Sequence, residues 1–115
     1  MMFKQGDILL IPVPFTDLTT NKQRPVLVLS NDIYNQNTDD ILVSAITSQL
    51  KGLDFSVVIN TENLTEGELK KTSAIRADKL YTLSKQIVKK KFGHVQNSIL
   101  DEVIVKINEL LYVSS

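Results

Sequence analysis

The segment Gly6–Asp32, GDILLIPVPFTDLTTNKQRPVLVLSND, constrains this chain most. It holds two short apolar runs, Asp7–Val13 and Pro25–Leu29, separated by a polar, turn-forming stretch, Thr16–Gln23. Both runs are rich in Ile, Leu and Val and bounded by Gly, Pro and Asn, which reads as two buried strands joined by a loop. The second run is entered through Arg24-Pro25. A proline at the first strand position has no ladder N–H to lose, and its ring pushes Arg24 into an extended conformation. A cation is thereby fixed where a loop meets a strand, a place suited to holding a phosphate.

Downstream, Asp40–Ser48 (DILVSAITS) has the β-branched content of a buried third strand and ends in the hydroxyl pair Thr47-Ser48. Asp54–Asn60 (DFSVVIN) alternates Phe55, Val57 and Ile59 on one expected face. Thr61–Leu69 reads as a connector with a single helical turn and a glycine exit. Thr72–Ala77 and Leu80–Ser84 read as one strand or a bent pair. Ile87–Val95 places three lysines in a row, which suits a short exposed edge strand, since charge on an edge discourages further pairing. Ile99, Val103, Ile107 and Leu110 or Leu111 recur at helical spacing, and Ser98-x-x-Asp101 predicts an N-cap with an acid in the first turn. Strands followed by one amphipathic helix predict a small α+β, mainly β, barrel-like domain over residues 1–115.

The chain has 115 residues, enough to bury about two-thirds of its unfolded surface in a core of its own. With no cysteine there is no disulfide framework, no thiolate metal site and no thiol nucleophile. The start, MMFKQGD, lacks the apolar region of a signal peptide. The longest apolar run, Ile8–Phe15, is broken by two prolines and falls far short of the ~20 residues that span a bilayer. A cytoplasmic protein with no membrane association is expected.

Charge is balanced, 13 basic residues against 13 acidic, but unevenly placed. From Lys70 to Gln96 there are eight Lys or Arg residues, and Asp78 is the only acid. Such asymmetry makes either a solvated lysine face or a local positive surface for a polyanion. His94 is the only histidine, and beside Gly93 it reads as structural or exposed rather than catalytic. No HExxH, histidine pair or acidic cluster has metal-ligand spacing, and no nucleophile-elbow or phosphate-cradling glycine motif occurs, so neither metal nor cofactor is expected.

What remains is a set of arginines, hydroxyls and one carboxylate: Arg24, Thr47, Arg76 and Asp78. Singly, each has a plain reading as a surface cation, a strand threonine or a same-face ion pair. Together they suit one reaction that needs no metal, cysteine or histidine, attack of an RNA 2′-hydroxyl on the adjacent phosphorus. Arginine offers fixed donors to phosphate oxygens, a threonine hydroxyl adds a hydrogen bond, and Asp78 is a candidate proton acceptor.

At these residues the chain resembles the MazF/PemK/Kid toxins of bacterial type II toxin–antitoxin pairs. FKQGDILLIPVPFTDLTTNKQRPVLVLSND matches their N-terminal signature, and the resemblance continues through Ala45–Gln49 (AITSQ), Thr72–Leu83 (TSAIRADKLYTL) and the glycine-to-helix finish. It implies a compact SH3-like antiparallel barrel with a C-terminal helix and a homodimer. It also implies metal-independent, sequence-selective cleavage of single-stranded RNA to 2′,3′-cyclic phosphate and 5′-hydroxyl ends, inhibition by a cognate antitoxin, and DNA binding only through the antitoxin complex. Arg24 and Thr47 match functional positions of MazF-like members, and Arg76 and Asp78 match the R-x-D pair assigned to catalysis in Kid-like members. Phe15, Lys22, Ser48, Gln49 and Ser73 are the expected RNA contacts, Phe15 as an aromatic for base stacking. The loop Thr16–Gln23 departs from the family in being short and poor in glycine, and it lacks the histidine of some Kid-like members. Rival readings are a gyrase poison similar to CcdB and a non-catalytic SH3-like binding module.

Overall fold

The structure is a computed structural model and describes residues 2–12 and 22–114. Seven strands form one antiparallel sheet: β1 (Asp7–Pro12), β2 (Gln23–Val28), β3 (Asp40–Thr47), β4 (Ser56–Ile59), β5 (Leu64–Glu66), β6 (Ser73–Ser84) and β7 (Lys90–Val95). Their order across the sheet is β4-β6-β3-β2-β1-β7-β5. A short helix, α1 (Asp32–Asn37), links β2 to β3, and α2 (Asn97–Leu110) ends the described fold.

The apolar runs are continuous rather than alternating because both faces of the curled sheet are covered. Ile8, Leu27, Ile46 and Ile75 point into one core, which Ile99, Leu100 and Val103 of α2 close. Their neighbours Leu9, Ile11, Val26, Val28, Ile41 and Val43 point the other way into a second core with Phe3 and Leu83. Each fully buried Ile or Leu contributes about 1.5–3 kcal/mol, so a one-residue slip of β1 or β2 exchanges the two cores.

Several expected boundaries shift. Lys85–Ile87 is a 3-10 turn, and β7 begins only at Lys90. β7 is not an edge, since it pairs with β1 and with β5. Its lysines stay accessible because three-residue β5 reaches only His94 and Val95. That contact is close: a Cβ on Gly67, at φ +87°, would lie 2.5 Å from the Phe92 carbonyl oxygen. Phe55 does not share the buried face of Val57 and Ile59; its φ of +43° turns it out of strand geometry and leaves it exposed. Ser98 does not cap α2. The helix starts one residue after β7, and Gln96 fixes that junction by donating its N–H to Asn63 O and its side-chain amide to Glu62 O. Helix α1 was not among the expected elements; Asn31 caps it by accepting the Tyr34 N–H at 2.9 Å.

His94 is structural. Its Nδ1 lies 2.7 Å from Oδ1 of Asp7, and its ring lies over Gly6. Asp7 is fully buried, accepts the Lys4 N–H at 2.8 Å and faces Lys91 Nζ at 3.3 Å.

Candidate active site

Two interruptions of the sheet meet around the end of β3. The β2–β3 ladder starts at Val26↔Ala45 and runs to Val28↔Val43. Pro25, which has no N–H, is the first residue beyond it. Arg24 is still held to β1 by pairing with Ile11, so the gap opens toward β3 only. On the other side, β3 and β6 lose register: Ala45 alone lies between the pairs Ser44↔Leu80 and Ile46↔Ile75, opposite Arg76, Ala77, Asp78 and Lys79. Bulges of this kind re-aim side chains and recur beside active sites. This one is anchored from the residue before β4, where the Phe55 carbonyl accepts the Ala77 N–H at 2.9 Å.

Strand alternation then selects what faces the opening. Arg24 shares a face with Val26, and Thr47 shares one with Ala45. The result is a cleft of about 270 Å³ whose lining includes Arg24, Ala45, Thr47, Arg76, Lys79 and Tyr81. An adjoining cleft of about 390 Å³ shares Arg24 and Thr47 and adds Ser48 and Gln49. Thr47 Oγ1 accepts the Gln49 N–H at 3.1 Å, which turns the chain at the strand end and fixes the hydroxyl.

Arg76 and Asp78 make two parallel bonds, Nε to Oδ1 at 3.1 Å and an Nη to Oδ2 at 2.9 Å. The hydrogen bond to Asp78 raises the Arg76 pKa further. In return, the bond from Arg76 holds the Asp78 carboxyl below the usual carboxylate range, against the desolvation that would raise it. An acid so placed is a weak proton acceptor and a strong orienting partner. The sign follows: the pair persists at all pH above the ordinary aspartate value of 3.8 and is lost only as pH falls through the lower folded value. Carboxyl-carbon NMR is expected to place the Asp78 midpoint below 3.8 in the wild type and higher in Arg76→Ala. An unmoved midpoint in that variant would show that the guanidinium does not control it.

Among the expected site residues, the structure brings Arg24, Thr47 and Arg76 to one cleft, with Asp78 bound to Arg76, and places Ser48 and Gln49 in the adjoining one. Lys22 is exposed just before β2 and lines neither cleft. Ser73 is buried, pairs with Ile59 and donates its hydroxyl to Lys71 O, away from both. Phe15 lies outside the described residues. Lys79 and Tyr81 were not foreseen as lining residues. On a regular strand they face away from Arg76, and only the bulge brings all three around one opening.

The family model for PemK-like, MazF-like toxins of type II toxin–antitoxin systems matches residues 4–111. The chain is 28% identical over 115 residues to endoribonuclease EndoA of Bacillus subtilis (strain 168), covering 99% of this chain and 95% of EndoA. It is 26% identical to endoribonuclease MazF of Staphylococcus saprophyticus, covering 89% of this chain and 85% of MazF. Among solved structures, a MazE–MazF structure from Deinococcus radiodurans superposes with a TM-score of 0.79 at 24% identity, covering 99% of this chain and 100% of that one. A mycobacterial endoribonuclease in complex with its cognate antitoxin gives 0.78 at 17% identity, with 98% of each chain covered. These superpositions establish the fold, a MazF-type curled sheet with a C-terminal helix. The chain belongs to the family of PemK-like, MazF-like toxins of type II toxin–antitoxin systems.

Proposed function

We propose that this toxin is a sequence-selective endoribonuclease that cleaves single-stranded RNA by 2′-hydroxyl attack. The observation that carries the reading is the convergence of Arg24, Thr47 and Arg76 on one cleft. Arg24 and Arg76 supply fixed positive charge where the phosphorane gathers negative charge, the kind of preorganised electrostatic term that is often largest in catalysis. Thr47 donates to a phosphate oxygen, and Asp78 holds the Arg76 fork in place. Ser48 and Gln49 take the neighbouring nucleotide in the adjoining cleft. EndoA and MazF, similar along most of their length, are named endoribonucleases, and that supports the chemistry.

Similar toxins have been solved together with an antitoxin, MazE in one case and a cognate antitoxin in another. That supports a separate antitoxin for this chain, one that covers the cationic cleft and competes with RNA. We further propose a cytoplasmic homodimer. A gyrase poison needs no phosphate-cleaving cleft, and the named relatives do not favour it.

The test is incubation of the purified protein with a long mixed-sequence RNA in EDTA. Discrete fragments with 5′-hydroxyl ends are expected, and their termini give the recognition sequence. RNA left intact by folded protein would overturn the proposal and make gyrase-dependent DNA cleavage the next assay.

A further inference from the structure

The cleft holds a cation that the arginine, threonine and aspartate roles leave unused. Lys79 ends the bulge that begins at Arg76 and lines the same cleft. We propose that Lys79 is the proton donor to the leaving 5′-oxygen, an inference that rests on the RNA-cleavage reading above.

The first ground is elimination among the lining groups. Cleaving the P–O5′ bond leaves an alkoxide, which needs a proton from a positioned acid. Among the described residues, neither cleft is lined by a histidine or a carboxylic acid. Arginine does not give up its proton in proteins, so Arg24 and Arg76 stabilise charge without supplying one. The Thr47 hydroxyl is a far weaker acid than an ammonium and is engaged with Gln49 N–H. Lys79 and Tyr81 remain. Tyr81 is half-buried, whereas Lys79 is exposed and able to recover a proton from water after each turnover.

The second ground is charge. Among the described residues the cleft is lined by three cations, Arg24, Arg76 and Lys79, and Asp78 offsets one of them. A net of two positive charges exceeds the single negative charge of a phosphodiester and equals that of the dianionic phosphorane. Without Lys79 the cleft would match the ground state only. Interactions stronger in the transition state than in the ground state are those that raise the rate.

The 2′-oxygen bonds to phosphorus and its proton passes to water. The P–O5′ bond breaks with its electron pair on O5′, which takes a proton from the Lys79 ammonium. The products are a 2′,3′-cyclic phosphate and a 5′-hydroxyl, and the lysine amine regains its proton from solvent.

The test uses an oligonucleotide carrying the cleavage sequence, made with either oxygen or sulfur at the scissile 5′ bridge. A thiolate leaves without protonation. Lys79→Arg is expected to slow the oxygen substrate by about 10²-fold or more, yet to cleave the sulfur substrate at close to the wild-type rate, whereas Lys79→Ala, which also loses the charge, is slowed at least as much on oxygen and recovers only in part on sulfur. Lys79→Arg keeps the charge and removes only the transferable proton, so it separates acid catalysis from charge stabilisation. Equal losses on both substrates, no loss on oxygen, or sulfur rescue in Tyr81→Phe instead would overturn the assignment. Wild-type protein that cleaves neither substrate would remove the nuclease reading itself.

Discussion

Arg24→Ala is expected to lower kcat/KM for RNA cleavage by about 10²- to 10³-fold, the cost of removing one preorganised charge-stabilising donor, with the thermal unfolding midpoint unchanged. The two halves of that expectation have separate grounds. Arg24 is exposed, and among the described residues no carboxylate pairs with it, so the fold loses little when its side chain is cut back. Its backbone is nevertheless fixed by pairing with Ile11, and it borders both clefts. A cation held rigidly in that position acts on whatever negative charge the clefts receive. Because phosphorane charge exceeds that of the bound diester, most of the loss should fall on kcat and less on KM. Arg24→Lys should recover part of the rate, since the charge returns but the planar fork of donors does not. A kcat/KM equal to wild type in Arg24→Ala would remove Arg24 from the reaction. Arg76→Ala is a less clean experiment, because it also strips Asp78 of both bonds from the guanidinium.

How much of this was legible in the sequence depends on whether local pattern or strand register decides a position. The runs in β1 and β2 could be read because Ile8, Leu9, Val26 and Leu27 are apolar whichever face they take, and both faces are buried. Arg76 and Asp78 could be paired because two residues apart on a strand means one face. Thr47 was visible as the hydroxyl at the end of a strand. Lys79 and Tyr81 were not, since their approach to Arg76 depends on the loss of register at Ala45, which no local signal marks. Phe55 misled for a related reason: alternation puts it with Val57, but a positive φ takes it out of the strand. The position of β7 inside the sheet was hidden by its lysines, whose exposure reflects the brevity of β5. His94 and Asp7 stand 87 positions apart, and only pairing of β1 with β7 joins them.

That pairing carries the largest stability effect expected of any polar group here. Removing both side chains that face Asp7, as in His94→Ala with Lys91→Ala, is expected to destabilise the fold by about 3–5 kcal/mol at pH 7, the usual cost of leaving a buried charge unpaired. The Asp7 side chain is 1% exposed, and among the described residues the Lys4 N–H is the partner that remains. Lys91 responds to the same field. Desolvation presses its ammonium down, but Asp7 and Glu66 outweigh that and hold its pKa above the ordinary lysine value. A raised pKa means the Lys91 contribution is present throughout neutral and acid pH and is lost only as pH climbs through the raised value. The deficit of Lys91→Ala should therefore be full at pH 7 and shrink at alkaline pH, where the wild-type ammonium is lost as well. Urea denaturation at both pH values and one fixed protein concentration measures the difference. A deficit equally large at both would trace the loss to packing of the Lys91 stem rather than to charge. The single variants divide the effect further: His94 sits 2.7 Å from the carboxylate and Lys91 at 3.3 Å, so His94→Ala should cost more unless Lys91 closes the gap. If it does, the two losses will be far from additive, which is the signature of partners that share one buried charge.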